Sequence, residues 1–309
     1  LSHAYREYIY RKINQNQSKK IVEAKNSKFI INIHDGLLRS GGLTDRLKSI
    51  CTLYNYAKKH NYNFKLYFDH PFYLNKYLLP NLYDWTIEKD TISYNLNTTA
   101  LYTWENEVMS KRFFDSVKSK NQLHINCNSN EYFDDYSQLF NELFKPSLLL
   151  QEQLDAHLDK LGGEANYISI SFRFQNLLGE FKEANSKSLP EDRRNQLIED
   201  CIEMIDKIKK RHHDIENVLI TSDSNIFRQM SKSKYSYIYT YIFPNEIGHL
   251  DYSKNGKIKE LTAFLDMFLI SKAKKAYQVR SKEMYNSDFP KLAAKMNNKE
   301  YEMILINRI

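Results

Sequence analysis

The feature that most constrains this chain is a strand, a glycine turn, a helix and a second strand in direct succession near its N-terminus. The apolar run Lys28–Ile33 (KFIINI) predicts a buried strand, and Gly41-Gly42 predicts a tight turn after it. From Leu43 onward apolar residues recur at helical spacing, and Phe64–Phe68 (FKLYF) predicts the next strand. This succession predicts a βαβ unit, and therefore an α/β domain built on a parallel sheet.

A second α/β series begins where the composition shifts, at GGEAN (residues 162–166). Its predicted elements are the strand Tyr167–Phe172, a long helix after Pro190, the strand Val218–Thr221, the strand-like run YSYIYTYIF, an apolar helix over Leu261–Ala273 and the short strand AYQV. Before this series, the stretch from residue 131 to residue 161 has a helical pattern toward its end. We therefore predict two Rossmann-like domains, 1–161 and 162–309, that face a cleft at the carboxyl ends of their strands.

Charge and hydropathy narrow the classes of function. The net charge of +7 suits anionic partners such as nucleotides and diphosphates, but the basic residues are scattered and form no nucleic-acid motif, so we expect no nucleic-acid partner. No segment approaches the roughly 18 consecutive apolar residues of a membrane span. We expect a cytoplasmic protein, and peripheral contact with the anionic inner face of a membrane stays open.

Neither the cysteines nor the acidic residues form a metal-binding pattern. Cys51, Cys127 and Cys201 are widely spaced and outside any C-x-x-C, which indicates reduced thiols. No zinc spacing is present, and Asp-x-Asp occurs nowhere. We therefore predict no metal and no other cofactor.

Two strand ends carry candidate anion-binding groups. Gly41 and Gly42 follow a strand and open a helix, where backbone N–H groups and the helix dipole favour a phosphate; a tight turn without a ligand is the alternative. Ser171 and Arg173 lie at the end of the first strand of the second domain. An arginine at this place can hold a diphosphate with its planar fork, or it is a surface residue without a ligand.

Acidic residues supply further candidates. Glu180 and Glu183, in LLGEFKE, could accept a proton from an acceptor hydroxyl, although loop carboxylates are mostly solvated. Ser222 and Asp223 belong to TSDS, which suits helix N-capping unless the loop faces a ligand. Asp266 stands in the apolar helix FLDMFLIS, so it needs either an internal partner or a ligand N–H group.

The C-terminal stretch AFLDMFLISKAKKAYQVRSKEMYNSDFPKLAAKM resembles the donor-binding segment of the GT-B fucosyltransferase superfamily, which includes α-1,2-, α-1,6- and protein O-fucosyltransferases. The pattern of Asp, apolar helix, Ser-x-Ala, short strand, Ser and Ala-containing helix is met by Asp266, Ser271, Ala273, Ser281 and Ala293-Ala294. ISISFRF stands where the family carries His-x-Arg-Arg, and LLRSGGLTDRLKSI stands where it has its N-terminal Gly-rich loop.

The resemblance implies the GT-B architecture, with 1–161 on the acceptor side and 162–309 on the nucleotide-sugar donor side. It also implies an inverting, metal-independent transferase that uses a GDP-sugar, most often GDP-fucose. By position, Arg173 would hold the β-phosphate, Asp266 would meet the guanine, and Ser281 with its neighbours would hydrogen-bond the phosphates. The full set of donor-binding candidates is Gly41, Gly42, Ser171, Arg173, Ser222, Asp223, Asp266, Ser281 and Ser287.

The resemblance also implies where the catalytic base lies. The family carries it in the loop after the arginine, which makes Glu180 the first choice and Glu183 the second, beside Arg173 as the third catalytic residue. Two positions depart from the pattern, because the family histidine is Ser171 and the second arginine is Phe174. Because of these two departures, three points stay open: the usual contact with the base, part of the set of groups that binds the phosphates, and the identity of the sugar.

We therefore predict a glycosyltransferase that moves a sugar from a GDP-sugar to a hydroxyl of a glycan or lipid-linked glycan in bacterial surface polysaccharide synthesis. Fucose is the first candidate for the sugar. A transferase of the same fold with another nucleotide-sugar donor is one alternative. A non-catalytic carbohydrate-binding or scaffolding protein is the other, and Ser171 and Phe174 favour it.

Overall fold

Two separate parallel sheets organise the chain, one of four strands and one of five. In this computed structural model the described residues are 3–16, 28–37, 41–129, 131–180, 188–241 and 257–306. The chain divides into two compact units, Leu1–Lys145 and Pro146–Ile309, each with its own sheet. The predicted α/β class with two parallel sheets is confirmed.

The first unit contains the predicted strand–helix–strand succession. Its helices are α1 (His3–Asn16), α2 (Leu43–Lys59), α3 (Glu107–Ser116) and α4 (Tyr136–Leu143), with short 3₁₀ turns at Leu74–Lys76 and Lys89–Thr91. Its strands are β1 (Phe29–His34), β2 (Asn63–Phe68), β3 (Leu78–Pro80), β4 (Thr99–Thr103), β5 (Gln122–Asn126) and β6 (Phe144–Pro146). The main sheet has the order β2-β1-β5-β4 with every pair parallel, and β3 pairs with β6. The predicted βαβ unit is therefore β1, α2 and β2.

The stretch predicted as helical before the second series is two helices. α4 ends at Leu143, and α5 (Leu148–Lys160) begins after Pro146, which has no N–H group with which to continue a helix. The Oγ of Ser147 caps α5 by accepting a hydrogen bond from the backbone N–H of Leu150 at 3.3 Å.

The compact units divide between Lys145 and Pro146, whereas the predicted domains divide between 161 and 162. The difference arises because α5 packs against α8 (Lys257–Lys272) and so belongs to the second unit. The acceptor and donor roles assigned to the two domains stay predictions.

The second unit builds the sheet that carries most of the candidate residues. Besides α5 and α8 its helices are α6 (Glu191–Lys209), α7 (Asn225–Lys234) and α9 (Phe289–Met296). Its strands are β7 (Tyr167–Phe172), β8 (Asn217–Ser222), β9 (Ile238–Tyr239), β10 (Lys275–Arg280) and β11 (Glu300–Leu305), in the parallel order β11-β10-β7-β8-β9. β7 lies in the middle and is buried along its whole length, as expected of a parallel strand covered on both faces.

The two faces of β7 differ in chemistry. Ile168, Ile170 and Phe172 belong to one apolar core cluster with residues of α6. The alternate residues point to the opposite face, where the Tyr167 hydroxyl donates to the carbonyl of Leu269 in α8 at 2.5 Å. On this second face the strand becomes polar toward its carboxyl end.

All three cysteines are free and buried. Cys51 lies in α2 and Cys127 directly after β5, both in the first unit, and Cys201 lies in α6 of the second. Burial raises the pKa of each thiol, that of Cys127 to about 12.

Candidate active site

Five of the predicted residues gather at the carboxyl edge of the second sheet. Ser171 and Arg173 stand at the end of β7, Ser222 and Asp223 at the end of β8, and Ser281 directly after β10. These three strands are direct neighbours and run in the same direction. Ligands of open parallel sheets bind at this edge, so the fold places the five residues where a ligand site is expected.

Asp223 holds Arg173 and the turn that follows β7. The Oδ2 atom of Asp223 lies 3.1 Å from Nη1 of Arg173 and accepts from the backbone N–H of Gln175 at 2.8 Å, while its Oδ1 accepts from that of Phe174 at 2.8 Å. The carboxylate is 4% exposed and the arginine side chain 30%. Both carboxylate oxygens of Asp223 thus bind groups of the protein, and together they orient the partly exposed guanidinium of Arg173.

A buried row of polar side chains crosses the sheet just below this pair. Ser171 is in register with Thr221 on β8 and with Gln278 on β10. The hydroxyl oxygens of Ser171 and Thr221 lie 2.8 Å apart, which is a hydrogen bond between two buried groups. Ser171 therefore has a protein partner at the position where the resemblance expects a histidine.

Phe174, at the place of the second arginine in the resemblance, is a core residue. It is fully buried and its ring packs against those of Phe172 and Phe227, at centroid distances of 6.2 and 4.9 Å. The departure from the pattern is thus a change from a cation to a packed apolar side chain.

The contacts at the N-terminus of α7 account for the capping chemistry of TSDS and for the position of Glu180. The Oγ of Ser224 accepts from the backbone N–H of Phe227 at 3.0 Å, so the predicted capping is confirmed at this serine. Glu180 accepts from the Ser224 hydroxyl and from the backbone N–H groups of Asn225 and Ile226 at 3.1 and 3.2 Å. These contacts are those of a second cap on the same helix end. The role of Glu180 as a base stays a prediction, and Glu183 lies outside the described residues.

Asp266 has an internal partner, one of the two options that the sequence left open. Its Oδ2 lies 3.1 Å from Nη2 of Arg228, which is fully buried in α7, and its Oδ1 accepts from the hydroxyl of Tyr241. Arg228 also donates to the carbonyl of Ser222 at 2.9 Å and to Oγ1 of Thr240 at 3.1 Å. Burial raises the pKa of Asp266, and the charge of Arg228 opposes the shift. The guanine contact of Asp266 stays a prediction.

The two C-terminal serines differ in their contacts. Ser281 is 8% exposed and its Oγ has no hydrogen-bond partner among the described residues, while its backbone N–H donates to Sδ of Met284 at 3.3 Å. The Oγ of Ser287 accepts from the backbone N–H of Phe289 at 3.2 Å and so closes the turn before α9. Ser281 therefore has a buried hydroxyl whose hydrogen-bonding capacity the described residues leave unused.

The glycine pair of the first unit lies beside a carboxylate. Gly42 is the N-cap residue of α2, and a Cβ on Gly41 would clash with the carboxylate of Asp45. Arg46 is buried and donates to the carbonyls of Gly41 at 3.0 Å and His70 at 2.7 Å. A side chain at position 41 would therefore require Asp45 to move, and an anion site at Gly41 and Gly42 stays a prediction.

Within the described part of the chain, no three His, Cys, Asp or Glu residues are arranged to hold a metal ion. A search of the same residues for a helix long and apolar enough to cross a membrane finds none.

Two arginines at this edge were not singled out from the sequence. Arg228 gives no local signal, because its partners lie on β8, beyond β9 and on α8, up to 38 residues away. Arg280 is the last residue of β10. A basic residue at a predicted strand end is the same signal that pointed to Arg173, so Arg280 was visible in the sequence.

Comparison with known proteins gives a fold and no closer relationship. No family model matches this chain, and neither does any curated protein. An Arg-to-Lys mutant of FUT1 from Arabidopsis thaliana, solved with GDP, has a TM-score of 0.58 at 12% identity, over 95% of this chain and 74% of that one. Fucosyltransferase NodZ from Bradyrhizobium has a TM-score of 0.58 at 13% identity, over 86% of this chain and 92% of that one. NodZ α-1,6-fucosyltransferase soaked with GDP-fucose has a TM-score of 0.54 at 12% identity, over 87% and 92%.

The resemblance drawn from three sequence segments is thus confirmed at the level of the fold. Both parallel sheets with their flanking helices match these structures. The chain has the GT-B fucosyltransferase-like fold, at a distant level of sequence identity.

Proposed function

We propose that this protein is an inverting glycosyltransferase that transfers a sugar from a GDP-sugar to a hydroxyl of a glycan or lipid-linked glycan. Fucose is the first candidate for the sugar. The observation that carries the proposal is Arg173, oriented by the buried Asp223 at the carboxyl edge of β7. It stands in a fold shared with structures that hold GDP or GDP-fucose. A guanidinium fixed by a buried carboxylate is already oriented for a phosphate, so little of its freedom remains to be lost on binding.

In the proposed reaction the acceptor oxygen attacks the anomeric carbon in line. The bond from that carbon to the β-phosphate oxygen breaks, and the diphosphate leaves with the electron pair. Arg173 and the hydroxyl of Ser281 stabilise the charge that develops on the diphosphate. We assign this task to side chains rather than to a metal ion, and in-line attack inverts the anomeric centre.

A carboxylate of the loop after Arg173 takes the proton of the acceptor hydroxyl. The three donors that Glu180 accepts from at α7 direct its oxygens toward the protein, which favours Glu183 for this role. Separate Glu180→Gln and Glu183→Gln variants assign the base, because loss of a general base lowers kcat by about 10²- to 10⁴-fold.

Calorimetric titration with GDP in the presence of EDTA tests the proposal. We expect the wild type to bind GDP without a divalent metal and Arg173→Gln to bind it at least about tenfold more weakly, since hydrogen bonds to charged groups contribute about 1.5–3 kcal/mol. Arg211→Gln is the matched control, because Arg211 is an exposed arginine that pairs with Glu302 on β11. Absence of GDP and GDP-sugar binding at millimolar concentration would contradict the proposal.

A non-catalytic carbohydrate-binding protein is the second candidate. It is favoured by the burial of Phe174 and by the pairing of Ser171 with Thr221, which take two expected ligand positions into the protein interior. Product formed from GDP-fucose and a mixed glycan acceptor would rule it out. A panel of nucleotides ranked by thermal shift would identify another donor, since binding to the folded state raises the melting temperature.

A further inference from the structure

Arg280 occupies a place equivalent to that of Arg173 on the neighbouring strand. β10 and β7 pair in parallel with Gln278 opposite Ser171, so continuing the register by two residues brings Arg280 beside Arg173 on the same face of the sheet. The same continuation from Ser171 and Thr221 brings Arg173 beside Asp223. Their ion pair at 3.1 Å shows that the row extends this far.

The next row along these three strands consists of Arg280, Arg173 and Asp223, and it holds two cations and one carboxylate. Asp223 is engaged with Arg173 and with two backbone N–H groups. Among the described residues the guanidinium of Arg280 has neither a hydrogen bond nor an ion pair, and its Nε is buried. A buried donor without a partner is costly, and a charged one more so. Within the described residues the row therefore carries one positive charge without a paired carboxylate.

Two carboxylates close to Arg280 in the sequence, Glu283 and Asp288, form no ion pair with it among the described residues. Burial raises the pKa of Tyr301 to about 12, and the charges of Asp288 and Arg280 shift it in opposite directions. No ion pair between Asp288 and Arg280 is found in the described part of the chain. Glu283, in the loop after Ser281, pairs with Arg193 at 2.8 Å.

Two more unpartnered groups flank Arg280 on the same strand end. Nε2 of Gln278 and Oγ of Ser281 are buried and make no hydrogen bond with the described residues, while Oε1 of Gln278 accepts from Tyr301. The amide, the guanidinium and the hydroxyl can all donate. Three donors and a net positive charge at one strand end are complementary to an acceptor-rich anion, and to neither a metal ion nor an apolar group.

We propose that Arg280 binds the diphosphate of the donor as a second cation beside Arg173, with Ser281 as a neighbouring hydrogen-bond donor. This inference rests on the proposed function, because the anion it names is the diphosphate of that donor. When the sugar leaves, the β-phosphate gains a negative charge, and two guanidinium groups on adjacent strands spread that charge over more hydrogen bonds than one.

Binding of GDP, guanosine and inorganic pyrophosphate to Arg280→Gln and Arg280→Lys tests the assignment. We expect Arg280→Gln to weaken GDP and pyrophosphate about tenfold or more and to leave guanosine unchanged, with partial recovery in Arg280→Lys. Lys275→Gln is the control, because it removes one positive charge from the other end of the same strand. The melting temperature of ligand-free Arg280→Gln should not fall by more than about 2 °C, since no protein contact of the guanidinium is lost.

The outcomes separate this assignment from the proposed function. If GDP binds the wild type and Arg280→Gln equally, or if guanosine weakens as much as GDP, the role of Arg280 is overturned and the proposed function is untouched. If the wild type binds pyrophosphate through Arg280 but not GDP, the proposed function and the named diphosphate are overturned together, and a simple anion site is left. If neither anion binds the wild type, both proposals are overturned.

Discussion

The two units differ in how their arginines are partnered. In the first unit Arg6 pairs with Asp35 at 2.6 Å, Arg46 donates to two backbone carbonyls, and His34 and His124 are buried as neutral rings. In the second unit three arginines differ in their protein partners, from Arg228 with several to Arg280 with none among the described residues.

This difference in the second unit separates arginines that serve the fold from those that we propose bind an anion. Arg228 is fully buried and has several protein partners, Arg173 is partly exposed and pairs with Asp223, and Arg280 has no hydrogen-bond or ion-pair partner in the described part of the chain. A cation whose partners are all internal serves the fold. For a cation held at this edge of the sheet without a paired carboxylate, we propose that a bound anion supplies the counter-charge.

The largest effect on stability should come from Arg228, which is fully buried and has several protein partners. Arg228→Ala removes the partner of a buried carboxylate and leaves Asp266 uncompensated, so we expect the free energy of unfolding to fall by about 3–5 kcal/mol. Urea unfolding followed by circular dichroism measures the loss. Arg211→Ala removes an exposed arginine and should cost less than about 1 kcal/mol. A similar small cost for Arg228→Ala would break the comparison, because it would mean that the buried pair does not hold α7 and α8.

A smaller effect should appear in the first unit as a dependence on pH. Burial lowers the pKa of His124 to about 3, whereas a histidine of the unfolded chain titrates near 6.5. Between these values only the unfolded state binds the proton, so stability is full above pH 6.5 and falls as the pH drops toward 3, by about 1.4 kcal/mol per pH unit. His34 adds to this slope, because burial and the charges of Arg46 and Arg6 lower its pKa as well.

Tryptophan fluorescence isolates this effect, because Trp85 and Trp104, the only two tryptophans of the chain, both belong to the first unit. We expect urea midpoints to fall from pH 7 to pH 5 and to fall less in His124→Gln. Equal slopes in wild type and variant would show that His124 is protonated in the folded state.

The smallest effect concerns Glu180. As a cap on α7 it should contribute about 0.5–2 kcal/mol, so Glu180→Gln lowers the free energy of unfolding within that range. Ser224→Ala removes the other cap of the same helix end and should cost a similar amount. If Glu180→Gln abolishes turnover while leaving stability unchanged, the cap contacts give way when substrate binds and the sequence-based role as base is supported.

Local patterns allowed much of the fold to be predicted. The strand, glycine turn and helix at β1 and α2, the buried β7 and the capping chemistry of TSDS are properties of short segments, and each was visible in the sequence. The break at Pro146 was missed because helical spacing on both sides outweighed a single residue. β11 was not predicted, because its residues EYEMIL are only partly buried at the sheet edge and the apolar signal is weak.

The site could be predicted only in part, for a physical reason. That Arg173 and Ser281 meet at one edge follows from the parallel order of their strands, which the resemblance supplied. The partners of Asp266 and Glu180 are set by contacts across 38 and 44 residues, and no local pattern contains them. Nor does Arg173 reveal in sequence that Asp223 will be its counter-ion.

The distribution of the three buried thiols has a consequence for following these experiments. Cys201 is the one cysteine of the second unit, and Cys51 and Cys127 belong to the first. A thiol reagent modifies each only when its surroundings open, because the buried thiol is neutral and shielded. Mass spectrometry of the labelled peptides therefore reads the opening of each unit separately, in one sample and without any added probe.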